Sequence, residues 1–124
     1  MAAYSPVVSA GEFVFSPGLV PLTREGKVAG LDQGDDFPGL RLRSQLQANT
    51  IFEHAEAIAK AGGTSMRNVC RIDYRVTDIG DFAGVALAWL GRYGRAPHPF
   101  VCVVTPKLPA PGATVMADFW FYAG

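Results

Sequence analysis

The sequence has little charge and no excess of either sign. Charged residues make up 18% of its 124 positions, 11 Lys and Arg against 11 Asp and Glu, where an average domain carries roughly 25%. The balance removes the basic footprint that nucleic-acid binding needs. It also leaves less charge than a small monomer uses to cover itself, a first pointer to self-association. Cysteine is scarce: Cys70 and Cys102 stand alone, without metal-ligand spacing, so no metal site is expected. The thiols are expected to be reduced, in the cytoplasm. No apolar run approaches the length of a membrane span, so no transmembrane helix is expected. Met1 to Pro6 carry no basic region and no long apolar stretch, so no signal peptide is expected. What is plentiful is apolar side chain, 49% of the chain. That is enough to build a core in a single domain over residues 1–124, and too much for disorder.

Periodicity places the elements. Val7-Val8 and Phe13-Val14-Phe15 flank Ala10-Gly11 and predict a hairpin with strands around residues 4–9 and 12–16. Residues 23–43 are polar and rich in Gly and Asp and read as a long loop, with Phe37-Pro38-Gly39 as an apolar tip. Ser44 and Gln47 have capping-box spacing. Ala48, Ile51, Phe52, Ala55, Ile58 and Ala59 then recur at helical spacing, and Gly62-Gly63 ends the helix. From residue 69 to 77 the period changes to two: Cys70, Ile72, Tyr74 and Val76 alternate with Arg71, Asp73 and Arg75. Asp81 is the expected cap of a second helix with a stripe of Phe82, Val85, Ala86, Trp89 and Tyr93, closed by Gly94. Residues 100–105 and 114–123 read as strands. The last is apolar on both faces except at Asp118.

The expected fold is therefore α+β, with the order β-β-α-β-α-β-β, a mixed sheet and both helices on one face. A last strand apolar on both faces calls for a cover on the second face. A chain of this length holds no third layer, so other copies of the chain are expected to supply it.

These residues, in this order, resemble the RidA family, also called YjgF. Tyr4-Ser5-Pro6-Val7-Val8, Ala10-Gly11, Phe13-Val14-Phe15, Gly18 and Val20-Pro21-Leu22 resemble its N-terminal signature. Ala61-Gly62-Gly63-Thr64-Ser65, Val69, Val76-Thr77-Asp78 and Asp81-Phe82-Ala83 resemble its middle. Leu108-Pro109, Ala113, Val115 and Asp118 resemble its end. The resemblance implies a RidA-like, chorismate mutase-like domain in a homotrimer, with ligand clefts between subunits. The activity it implies is hydrolysis of enamines and imines to a keto acid and ammonia, with water as the only co-substrate and no cofactor.

Carried over position by position, the resemblance makes Asp118 the residue that positions the attacking water, one methylene shorter than the family's usual Glu. Tyr4 and Gly18 match cleft positions, and Cys102 matches a cysteine two residues beyond the family's arginine. Four cleft positions depart from the pattern. Pro17 stands for a usual serine, Leu19 for a frequent glutamine and Ala86 for an asparagine. Phe100 stands for the arginine that clamps the substrate carboxylate. A guanidinium gives a carboxylate two parallel hydrogen bonds and a phenyl ring gives none.

His98 lies two residues before Phe100 and is either an acid–base group at the cleft edge or a loop histidine held between prolines. Cys102 is a nucleophile without a visible base or a small core residue. Arg71, Asp73 and Arg75 form a charged strand face that is solvated or ion-paired, or, turned toward the shared interior of the trimer, pairs its arginines with Asp118 or takes over from the missing clamp. Asp118 itself is a water-positioning carboxylate or an ion-pair partner. Two readings remain open. One is a hydrolase acting on the C–N bond of a small enamine, imine or related unsaturated metabolite, with an atypical substrate. The other is an inactive trimer of the same fold that binds a small ligand or has a regulatory role. Neither involves nucleic acid or a membrane. The loop of residues 23–43 is expected to close over the cleft.

Overall fold

The computed structural model describes residues 8–31 and 39–124. Five strands and two helices follow in the expected order: β1 (Val8–Ala10), β2 (Phe13–Phe15), α1 (Gly39–Ala61), β3 (Val69–Val76), α2 (Phe82–Tyr93), β4 (Phe100–Val104) and β5 (Val115–Tyr122). They form one mixed sheet in the order β1-β2-β5-β3-β4. The last strand of the chain is thus the central strand of the sheet, antiparallel to β2 on one side and β3 on the other. The pair β3–β4 is parallel, because α2 carries the chain back across the sheet between them. Among the described residues no helix is long and apolar enough to cross a membrane.

The period-two patterns decide which face is covered. Ile72, Tyr74 and Val76 of β3 and Val115, Ala117, Phe119 and Phe121 of β5 are buried on one face. Both helices pack there, with Phe52 of α1 edge-on to Phe119 and to Trp89 of α2 at centroid distances of 6.2 and 5.7 Å. Among the described residues no layer lies over the other face. Trp120 is 41% exposed and Val103 47%, beside Phe13, Tyr122 and Val101. The last strand is apolar on both sides, as expected, and a single chain covers one of them.

Two glycines end α1 in different ways. Gly63 has φ 81°, a conformation glycine adopts without a Cβ clash. It lets the Gly63 and Thr64 amides donate to the Lys60 and Ala59 carbonyls at 3.1 and 2.8 Å, the Schellman pattern. Gly62 is fixed by space: a Cβ there would lie 2.8 Å from both γ carbons of the buried Val14.

Four expectations are corrected. The loop of residues 23–43 is shorter than expected, since α1 already begins at Gly39. Its first part is ordered by a Leu22–Val28 bridge, while residues 32–38, and with them most of the apolar tip, lie outside the described residues. Ser44 is not a helix cap but an interior residue of α1. Its hydroxyl donates to Asp81 Oδ1 at 2.7 Å and lies 3.2 Å from Thr114 Oγ1. Gln47 is fully buried and bridges three backbone groups: its amide donates to the Ala29 and Gly112 carbonyls at 3.1 Å each, and its Oε1 accepts from the Thr114 amide at 2.7 Å. Asp81 precedes α2 but makes no side-chain cap bond. Its carboxylate serves Ser44 and Thr77, and the capping is done one turn earlier by Asp78, which accepts from the Gly80 amide at 2.8 Å. In the α2 stripe Ala86 is exposed, and Gly84 and Ala88 face the core with Val85 and Trp89.

Candidate functional site

The sheet register separates the candidate residues into two groups. Asp118 lies opposite Asp73, which in turn lies beside Val101; all three face the open side. Phe119, Ile72 and Phe100 share the next rank and face the helices. Within one chain, Asp118 and Phe100 therefore point to opposite faces of the sheet.

On the open face, Asp118 sits in a small charged island within apolar surroundings. Arg71 Nε binds Asp73 Oδ1 at 2.8 Å, and the Arg71 guanidinium lies 6.0 Å from the centroid of Trp120. Arg75 Nη1 lies 3.5 Å from Asp118 Oδ1. This is close enough for Coulombic attraction but not aligned as a hydrogen bond, and Asp118 Oδ1 is buried with no hydrogen-bond partner among the described residues. Burial, and then the neighbouring Asp73 carboxylate, push the Asp118 pKa above its ordinary 3.8, while Arg75 pulls the other way. The carboxylate is thus more basic than usual and holds an unused acceptor.

Gly18 belongs to this face too. The segment from Ser16 to Leu19 continues β2 along the edge of β5: the Ser16 amide donates to the Phe119 carbonyl at 2.9 Å, and Leu19 and Ala117 exchange two backbone bonds at 2.7 and 3.1 Å. Leu19 is buried and Pro17 half-buried. A Cβ on Gly18 would meet the side-chain end of Met116. The antiparallel Leu19–Ala117 bridge sets Gly18 opposite Asp118, with the Met116 side chain reaching over the glycine. Tyr4 lies outside the described residues.

The second group is an aromatic cluster. Phe100 stacks on Phe82 at 5.2 Å and on His98 at 5.1 Å, and meets Tyr74 edge-on at 5.8 Å. His98 stacks on Trp89 at 3.6 Å, and its Nε2 is 3.2 Å from the Tyr74 hydroxyl. Burial holds the Tyr74 hydroxyl protonated and pushes the His98 pKa down, so the contact joins a neutral hydroxyl and a neutral imidazole, the tautomer setting which one donates. His98 is thus tied into packing, beyond a simple loop role. Cys102 packs against the core beside Tyr74, and burial raises its thiol pKa, away from the thiolate a nucleophile needs. Ala86 is exposed on α2.

Sequence reasoning missed a groove of about 580 Å³ where the C-terminal halves of α1 and α2 meet the chain around residues 64–69 and 96–97. Its signal was present: Glu56 and Lys60, and Trp89 and Tyr93, are i, i+4 pairs on the two helices.

No family model matches the chain. Curated relatives do. The protein DfrA of Myxococcus xanthus is 30% identical over 111 residues, covering 90% of this chain and 76% of that protein. A RutC family protein of Pyrococcus horikoshii is 26% identical over 106 residues, covering 86% and 76%. Among solved structures, RidA from the Antarctic bacterium Psychrobacter superposes with a TM-score of 0.78 at 24% identity, over 98% of this chain and 89% of that one. TdcF of E. coli, solved with bound serine, superposes with a TM-score of 0.78 at 21% identity, over 100% and 91%. The sheet order, the paired helices and these superpositions define a RidA-fold protein. The chain belongs to the RidA/YjgF family.

Proposed function

We propose that this protein works as a cytoplasmic homotrimer whose inter-subunit clefts hydrolyse a small enamine, imine or related unsaturated metabolite. The observation that carries the reading is Asp118: a carboxylate of raised basicity, with a buried oxygen and no hydrogen-bond partner, on an otherwise apolar strand. Such an oxygen is placed to hold a water. Water adds to the imine carbon as one of its protons passes to Asp118. That proton moves on to the nitrogen to give a carbinolamine; the proton of its new hydroxyl then passes to the nitrogen too, the C=O bond forms as the C–N bond breaks, and ammonia leaves with a carbonyl compound as the other product. Tyr4 and the Gly18 backbone orient the ligand. Because Asp118 and Phe100 face opposite ways in one chain, a cleft containing both takes them from neighbouring copies.

Phe100 makes the substrate atypical. It gives no bond to a carboxylate, and losing a desolvated clamp of this kind costs several kcal/mol. The same fact favours a second reading, an inactive trimer that binds a small ligand of the size of the serine held by TdcF. Ammonia release from a panel of enamines and imines separates the two. For the hydrolase, Asp118→Asn lowers the rate by roughly a hundredfold or more while the trimer persists. Wild-type rates equal to the uncatalysed ones on every substrate overturn the hydrolase and leave the binding protein.

A further inference from the structure

The groove between the ends of α1 and α2 is distinct from the open sheet face, and its polar groups are unevenly used. Glu56 is already taken: Arg92 Nη2 binds its Oε1 at 2.9 Å, and the Tyr93 hydroxyl donates to its Oε2. Thr64 donates to the Tyr122 carbonyl at 2.6 Å, Ser65 accepts from the Arg67 amide at 3.3 Å, and the Trp89 indole N–H is spent on the Ala96 carbonyl at 2.8 Å. What stays unpaired among the described residues is the Lys60 ammonium and the Arg67 guanidinium, both exposed. The rest of the lining is apolar, Met66, Val69, Trp89, Tyr93 and Pro97, with Met66 and Trp89 buried. A groove with an apolar floor, its acid neutralised and two free cations at its rim matches one kind of guest. The volume falls within the usual range for small-molecule sites.

We infer that this groove binds a small organic carboxylate with an apolar body about the size of one aromatic ring. The ring lies against Met66, Pro97 and the edge of Tyr93. The carboxylate takes the planar fork of Arg67, which suits two parallel bonds, with Lys60 as a point charge beside it. The site is independent of the hydrolase reading, since none of its residues lies on the open face.

The two tryptophans of the chain, Trp89 and Trp120, report the two regions separately. Titrating the full chain with 4-phenylbutyrate and following the indole N–H signals by ¹⁵N NMR tests the inference, with Trp120→Phe assigning them. The Trp89 signal moves saturably and the Trp120 signal does not. 4-Phenyl-1-butanol binds at least about tenfold more weakly, as does the acid to Lys60→Met/Arg67→Met, because each loses the charge-assisted bonds. The double variant keeps the dispersed Trp89 signal of a folded chain and still binds the alcohol. Equal binding of acid and alcohol by the wild type, movement of Trp120 alone, or no saturable shift overturns the site.

Discussion

Asp118 has two consequences that depend on pH. Its folded pKa lies above the ordinary 3.8, so the folded state favours the protonated acid. Its contribution to stability is present below the unfolded pKa and is lost as pH rises through the folded value. Asp118→Asn is therefore expected to raise the midpoint of thermal unfolding at neutral pH and to change it little below about pH 3.8. The rate of ammonia release, which needs the charged form, falls as pH drops through the same raised value. His98 has the opposite sign. Its pKa is lowered from 6.5 by burial, so stability is present above 6.5 and falls as pH drops towards the folded value. Urea unfolding of His98→Phe is expected to lose that slope. Asp118 was legible in the sequence because it is the single charge in an apolar strand. The role of His98 was not, since its partners Tyr74 and Trp89 come from other elements and only the fold brings them to it. Gly18 was legible in position, but its place opposite Asp118 follows only from the strand register.

Element ends and buried polar side chains test the packing. Gly62→Ala pushes a methyl against the stiff, buried Val14 and is expected to destabilise by about 1–3 kcal/mol in chemical denaturation. Gly18→Ala meets the flexible end of Met116 and is expected to be milder. Gln47→Leu strands the Ala29 and Gly112 carbonyls and the Thr114 amide and is expected to lose about 2–4 kcal/mol; a variant as stable as wild type contradicts the bridging role. The apolar stripe of α1 and the alternation of β3 were readable because each keeps one period along its length. The start of α1 was not. Ser44 and Gln47 have the spacing of a capping box, yet their hydrogen bonds run to residues 18 to 70 positions away, and tertiary partners of that range leave no local mark. Asp81 stands at the N-cap position of α2 as expected, but its carboxylate is turned to Ser44 and Thr77 in place of its own helix.

At the scale of the molecule, the shortage of charge has a location. It lies on the uncovered sheet face, where Phe13, Val101, Val103, Trp120 and Tyr122 are exposed around the Asp118 island. Exposed apolar patches of this kind mark interaction surfaces, and the proposed trimer covers this one with two further copies, completing a cleft that one chain leaves divided. A charge placed at its centre, Trp120→Glu, is expected to break the assembly while leaving the helix-covered core intact, read as reduced sedimentation with unchanged helical circular dichroism. The most direct test is sedimentation equilibrium of the wild-type chain at micromolar concentration. The account predicts a single species of three times the chain mass; a monomer with the same fold would contradict it.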